Sequence, residues 1–173
     1  MRYAAFLPPL LIAFAGVAQA RDSLGIFGGW GAFRDPPAGR AALRCYALAE
    51  PENAGAASGW RPFASVGYWP RSGIRGQTHI RLSRAAARGA KVTLSIGQQR
   101  FTLVSGGADA WARDKAMDAA IIAAMRNGTA MSVASAGAST NASPNRRGGF
   151  ADIYALRGAA TAIDAAALGC VGR

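Results

Sequence analysis

The chain is poor in the side chains that most enzymes use for chemistry. Its 173 residues include one histidine, two cysteines and nine acidic residues. One histidine and two cysteines cannot supply a usual zinc site, and the carboxylates are scattered along the sequence. The chain also lacks the motifs Cys-x-x-Cys, Gly-x-Ser-x-Gly and Gly-Lys-Ser/Thr. We therefore expect no metal, no cofactor and no catalytic site.

Long apolar runs are also missing, except at the beginning of the chain. Residues 1–20 combine an arginine at position 2, an uncharged apolar run and small residues at the end. This pattern is typical of a secretory signal peptide cleaved after Ala20. A membrane anchor fits less well, because a spanning helix needs about 20 apolar residues and this run contains two prolines. We expect residues 21–173 to form one exported domain of the periplasm or envelope, with no transmembrane segment after cleavage.

The two cysteines, Cys45 and Cys170, lie near opposite ends of the mature chain. In an oxidising compartment two cysteines are more often bonded than free. A bond between them would close a loop of more than a hundred residues, worth roughly 4–5 kcal/mol in the chain-entropy model. We expect this intrachain disulfide. Two unpaired thiols, or a bond between chains, are the alternatives.

Acidic residues are absent from a long central stretch. The formal net charge is +11, yet residues 53–108 contain eight basic residues and no acidic one. Such a stretch predicts a positive surface that attracts polyanions, although the arginine preference also fits a bias in nucleotide composition. For an exported protein we rank lipopolysaccharide, anionic lipid or a protein partner first, and expect no nucleic acid partner. The predicted anion-binding residues are Arg71, Arg75, Arg81, Arg84 and Arg88.

Alternating polarity predicts strands over the first two thirds of the chain. In GQTHIRLSR, Thr78 and Ile80 share the apolar face, whereas His79 and Arg81 share the polar face. KVTLSI and QRFTLV flank a Gly-Gln pair as a hairpin would. Further strands are predicted in SLGIFGGWGAFRD, AALRCYALAE and WRPFASVGYW, which gives at least six strands before residue 105. The glycines of GIFGGWGAF indicate a tight strand or bulge, with Trp30 filling the core.

The pattern changes to a helical period later in the chain. DAWARDKAMDAAIIAAMRNG predicts an amphipathic helix that ends at Gly128, and GAATAIDAAAL predicts a last helix. Between them, AMSVASA and FADIYAL predict strands around a mobile polar loop, GASTNASPNRRGG. The expected fold is mainly β, an antiparallel β-sandwich-like or α+β single domain with two late helices.

Several segments together resemble the invasion-associated locus B family of exported alphaproteobacterial proteins. These segments are DAAIIAAMRNGTAMSV, the run DIYALRGAATAIDAAALGC, and the opening GIFGGWGAF followed by RCYALAE. The resemblance spans most of the mature chain. It implies a periplasmic or envelope-associated, mostly β protein that is linked in some pathogens to host-cell entry. This chain departs from the family pattern where relatives carry a cysteine soon after the tryptophan, because Phe33 and Arg34 stand there.

These observations favour a non-enzymatic binding or structural protein that engages an anionic envelope component or a protein partner through a basic face. The alternative is a small envelope hydrolase in which His79, oriented by Asp109 or Asp152, activates a serine. The serines considered are Ser65, Ser83, Ser95 and Ser105. A third reading, a secreted factor that acts on a host cell, rests on the family resemblance alone.

Overall fold

A computed structural model describes residues 21–37, 42–53, 60–135 and 149–171. These ranges contain ten strands and two helices. The strands are β1 (Asp22–Phe27), β2 (Trp30–Asp35), β3 (Arg44–Ala49), β4 (Phe63–Trp69), β5 (Ile74–Arg81), β6 (Val92–Ile96), β7 (Gln99–Gly106), β8 (Asp109–Trp111), β9 (Ala130–Ser135) and β10 (Ala151–Ala155). The helices are α1 (Lys115–Asn127) and α2 (Ala159–Gly169), and a short 3₁₀ turn at Pro70–Ser72 joins β4 to β5.

The ten strands form one antiparallel sheet in the order β1-β2-β3-β4-β5-β8-β7-β6-β9-β10. Although β2 and β10 lie near opposite ends of this order, the Trp30 indole Nε1 donates to the Ala155 carbonyl oxygen at 2.9 Å. The sheet must therefore curl until its two ends meet. The predicted class, mainly β and antiparallel with two late helices, is confirmed.

One face of the sheet is covered by the helices. Alternate strand residues point into a single hydrophobic core, in which Val66, Ile80 and Leu94 are fully buried. Helix α2 packs on β1–β4, and α1 packs on β5 and β7. The alternation predicted in β5 is confirmed, because Thr78 and Ile80 are buried while His79 and Arg81 stay half-buried on the opposite face.

The first predicted strand is in fact a hairpin. Its backbone turns at Gly28 and Gly29, and Gly28 adopts a φ of 59°. Only glycine takes such values at no steric cost, so the pair of glycines splits the segment into β1 and β2. The prediction that Trp30 fills the core is confirmed, since its side chain is fully buried.

Helix α1 begins later than the sequence pattern predicts. Residues 109–111 form the short strand β8 between β5 and β7 instead of the first helical turn. Asp114 then adopts an extended conformation, and its carboxylate accepts a hydrogen bond from the Met117 backbone N–H at 2.8 Å. This N-cap satisfies a backbone donor that the first turn would leave unpaired. The predicted end at Gly128 is confirmed.

Helix α2 and the disulfide fix the end of the chain. The predicted packed side of α2 is confirmed, because Ala162 and Ile163 are fully buried. Gly158 precedes the helix at a φ of +90°, where a Cβ atom would overlap the carbonyl of Phe27. Directly after the helix, Cys170 is bonded to Cys45 of β3 with a Cα–Cα distance of 5.8 Å. The predicted intrachain disulfide is thus confirmed.

The outer edge of β10 is closed by the loop after β3. The Asn53 side chain donates to the Ala151 carbonyl at 2.7 Å and accepts from the Ile153 N–H at 2.9 Å. The Glu52 N–H donates to the Ile153 carbonyl at 2.7 Å. One asparagine side chain thus makes hydrogen bonds that a further strand would otherwise make.

Some predictions concern residues outside the described ranges. The signal peptide at residues 1–20 lies there, as does nearly all of the predicted mobile loop, at residues 136–148. Among the residues that the structure does describe, no helix is both long and apolar enough to span a bilayer.

Candidate functional site

The predicted anion-binding arginines divide between the two ends of β5. Arg71 and Arg75 lie at its beginning, whereas Arg81 ends the strand and Arg84 and Arg88 follow it. Arg81 lies six positions after Arg75, which corresponds to about 20 Å at the usual rise per residue. The structure therefore does not gather the five side chains into one patch, and their role in binding anions stays a prediction.

A β-bulge also places two of these arginines on different faces. The register between β4 and β5 shifts at Gly67 and Tyr68, so that Gly76 is the extra residue and Arg75 pairs with Tyr68. Tyr68 packs against the core, on the side of the helices. Because directly paired residues share a face, Arg75 turns toward α1 while Arg81 lies on the opposite face.

The acidic residues are almost all engaged. Six carboxylates form ion pairs with arginine, and the Asp118 and Asp152 side chains accept backbone N–H groups inside the protein. The six are Asp22, Asp35, Glu50, Asp109, Asp114 and Asp164. Glu52 is the one acidic residue left, since the chain has nine in all.

Several exposed cations consequently lack a carboxylate within the described ranges. We call these residues the unpaired cations: Arg71, Arg75, Arg88, Lys91, Arg100, Lys115 and Arg157. By contrast, Arg81 is bound, because its Nε lies 2.7 Å from Asp109 Oδ1. The positive charge of the chain is therefore not neutralised internally at these seven positions, and it faces solvent.

A pocket of about 300 Å³ lies between the start of β5 and α1. We call it the β5–α1 pocket, and the residues that characterise it are Ile74, Arg75, Gln77, Lys115, Asp118 and Ile122. Of these six, sequence analysis predicted only Arg75 as a site residue. The available signal was Gly76, since an isolated glycine within an alternating strand indicates a bulge that changes which face the next residue takes.

Asp118 anchors this pocket to the sheet. Its Oδ1 accepts the Thr78 N–H at 2.7 Å, and only 7% of the residue is exposed. Burial raises the pKa of the Asp118 carboxyl above its usual value of 3.8, although the hydrogen bond from Thr78 acts in the opposite direction. The neutral form is therefore favoured in the folded protein more than in the unfolded chain.

The raised pKa of Asp118 predicts how the stability of the protein changes with pH. A group with a raised folded pKa contributes stability below its unfolded pKa, here 3.8, and loses that contribution as the pH rises through the folded pKa. Asp118→Asn can keep the bond from Thr78 and carries no charge. We expect the difference in unfolding free energy between variant and wild type to shift in favour of the variant between pH 4 and pH 7, measured by urea denaturation.

Asp164→Asn is the matched control, with the opposite sign. The ion pair with Arg126, at 2.6 Å, lowers the pKa of Asp164, so its contribution is present above pH 3.8 and is lost as the pH falls. This variant should lose stability relative to wild type as the pH rises from 3 to 6. A pH-independent difference for Asp118→Asn would contradict the assignment of a raised pKa.

His79 lies in a separate cluster on the sheet face opposite the helices. Its Nε2 is 2.8 Å from Asp109 Oδ1, and its ring stacks on Trp111 with centroids 5.4 Å apart. Phe63 meets the same ring edge-on at 5.3 Å. Arg81 Nε approaches the same oxygen of Asp109 without the alignment of a hydrogen bond. A carboxylate and two aromatic rings thus hold the imidazole in one orientation. The carboxylate belongs to Asp109, one of the two predicted orienting residues.

No serine hydroxyl bonds to the imidazole within the described ranges. Ser65 lies directly across from His79, but its hydroxyl donates to the backbone oxygen of His79 at 3.2 Å. Asp152, the other predicted orienting residue, accepts the Ser83 N–H at 2.9 Å on the core side. A histidine–aspartate pair is therefore present, whereas the nucleophile that a hydrolase needs is not hydrogen-bonded to it.

The described residues contain no group of three or more histidine, cysteine, aspartate or glutamate side chains that could hold a metal ion. The disulfide removes both cysteines as ligands, and His79 has a single carboxylate beside it. We take the unpaired cations and the β5–α1 pocket as the candidate binding site.

Comparison with known proteins adds no relative. The chain matches no protein-family model, no curated protein and no solved structure. The resemblance to the invasion-associated locus B family accordingly stays a prediction from sequence patterns.

Proposed function

We propose that the protein is a non-enzymatic, exported binding or structural domain of the periplasm or envelope that engages an anionic envelope component. The observation that carries this proposal is the set of unpaired cations, all exposed, in a chain whose carboxylates are nearly all engaged elsewhere. Lipopolysaccharide and anionic lipids present phosphate groups at envelope surfaces and attract such charge. The confirmed disulfide supports export, because such bonds persist outside the reducing cytosol.

Anionic vesicles test this proposal. We expect the protein to bind vesicles of phosphatidylcholine that contain phosphatidylglycerol, and not vesicles of phosphatidylcholine alone, in a sedimentation assay. Raising the salt from about 0.01 M to about 0.15 M shortens the screening length from roughly 30 Å to roughly 8 Å and should weaken binding. Arg71→Gln/Arg88→Gln removes two unpaired cations outside the β5–α1 pocket. At about 1 kcal/mol per charge near a surface, binding should fall about thirtyfold.

Asp22→Asn/Arg34→Gln is the matched control for charge. Arg34 Nη2 lies 2.7 Å from Asp22 Oδ2, so removal of both charged groups leaves the net charge unchanged. This double variant should bind vesicles nearly as wild type does. Binding that is insensitive to salt, or equal losses for this variant and for Arg71→Gln/Arg88→Gln, would contradict the proposal.

The second candidate function is the small hydrolase, and the observation in its favour is the 2.8 Å contact between His79 and Asp109. It would need Ser65, or another nucleophile, to approach the imidazole in a substrate complex. A link to host-cell entry has weaker support, since it rests on the sequence resemblance alone.

A further inference from the structure

The β5–α1 pocket combines apolar walls with cations at one site. Ala119 and Ile122 supply aliphatic surface, and Arg75 and Lys115 bring two positive charges. Its volume of about 300 Å³ is at the lower end of the range for small-molecule sites. A ligand of matching chemistry would carry a negative group and a short apolar part.

The bulge in β5 makes this arrangement possible. Gly76 has a φ of +89°, and a Cβ atom built on it would lie 2.9 Å from Ile122 Cδ1. Any other residue would be strained in this backbone conformation and would press on the side chain that forms the wall. The bulge also turns Arg75 toward the helix, as its pairing with Tyr68 shows. One local irregularity thus brings a cation of β5 to the same cavity as a cation of α1.

The two cations are available to a ligand. Arg75 and Lys115 are exposed and make no ion pair within the described ranges. The carboxyl of Asp118 also borders the pocket, but it is directed to the Thr78 N–H. The two cations therefore favour an anion at this side of the pocket.

We propose that the β5–α1 pocket binds a small amphiphilic anion, whose carboxylate or phosphate contacts Arg75 and Lys115 and whose short aliphatic part lies along Ala119 and Ile122. The pocket proposal rests on the proposed function in one respect, the expectation that the ligand is negatively charged. Binding to lipid headgroups at a membrane surface requires exposed cations. Binding in this pocket also requires contact between the ligand and the apolar walls. The ligand class therefore includes free acyl anions and alkyl phosphates, and lipids only where the aliphatic part can leave the bilayer.

Calorimetry with soluble probes tests the pocket directly on the folded mature chain. Octanoate and octyl phosphate should bind, whereas acetate and inorganic phosphate, which lack the aliphatic part, should bind at least about tenfold more weakly. Octanol, which lacks the charge, should also bind more weakly. Arg75→Gln and Lys115→Gln should each lower octanoate affinity about tenfold, as expected for the loss of a charge-assisted contact. Ile122→Ala should reduce the preference for octanoate over acetate.

Arg126→Gln is the control on the same helix. Arg126 is paired with Asp164 at 2.6 Å and does not line the pocket, so octanoate affinity should not change. Circular dichroism and urea denaturation show whether each variant is folded, and the exposed Arg75 and Lys115 variants should unfold as wild type does.

The vesicle and probe experiments separate the two proposals. Vesicle binding without octanoate binding overturns the pocket proposal and leaves the envelope proposal in place. Octanoate binding without vesicle binding supports the pocket and contradicts the envelope proposal. Octanoate binding that Arg75→Gln and Lys115→Gln leave unchanged also overturns the pocket proposal, because the ligand would then lie elsewhere.

Discussion

Replacing both Cys45 and Cys170 by alanine is expected to lower the free energy of unfolding by about 5 kcal/mol. The cysteines are 125 residues apart, so the bond removes much of the conformational freedom of the unfolded chain. Both residues are also buried, so loss of the sulfur atoms leaves a space in the core. Equilibrium denaturation in urea measures the loss, and the midpoint should fall without loss of the cooperative transition.

Wild-type protein unfolded under reducing conditions is the control for packing. It keeps both sulfur atoms of Cys45 and Cys170 and loses only the covalent bond, so its destabilisation should be somewhat smaller than that of the double alanine variant. A difference below about 1 kcal/mol between oxidised and reduced wild type would contradict the stabilising role that the long loop assigns to the bond.

Trp30→Ala is expected to destabilise the protein by about 4 kcal/mol, or to prevent folding. The side chain is fully buried, and its loss leaves a large cavity where β2 meets β10. Trp30→Phe isolates the hydrogen bond, because it keeps a ring but leaves the Ala155 carbonyl without its 2.9 Å donor. We expect it to cost about 1–3 kcal/mol for the unpaired carbonyl, in addition to a smaller packing loss.

Trp60→Phe provides the comparison at a more exposed site. The Trp60 indole donates to the Leu82 carbonyl at 2.8 Å, but 39% of the residue is exposed. Water can replace this donor, so the substitution should cost less than Trp30→Phe in the same urea denaturation experiment. Equal costs at the two tryptophans would show that the Trp30 bond does not hold the ends of the sheet together.

The sequence predicts those parts of the fold whose structure follows from one local rule. Alternation fixes the two faces of β5 at Thr78, His79 and Ile80, since a strand places successive side chains on opposite sides. The small residues of α2 follow the helical period and are buried as expected, and the disulfide joins the two cysteines whose pairing the sequence predicts. In each case the sequence pattern and the structural feature that it predicts involve the same short segment or the same pair of residues.

Predictions from sequence are wrong where pairing with residues distant in the chain determines the local structure. Residues 109–111 have a helical pattern, yet backbone hydrogen bonds with β5 and β7 make them a strand. The bulge at Gly76 depends on the register with β4 and moves Arg75 off the face that simple alternation assigns to it. The sequence names Asp109 and Asp152 as possible partners of His79, and the pairing of β5 with β8, which brings Asp109 to it across 30 positions, decides between them. Strand pairing of this kind is a tertiary property, which a single sequence does not encode locally.

The two margins of the sheet differ in what they offer to another chain. Asn53 occupies the backbone groups of β10, whereas no strand in the described ranges pairs with the outer side of β1. Ile26, which is 67% exposed, lies on that open margin. If two copies associate through it, the described strands of each copy offer no second open margin, and growth stops at a pair. Fibrils built by edge addition require two open margins per copy, and the Asn53 side chain and the Glu52 N–H together close the margin at β10.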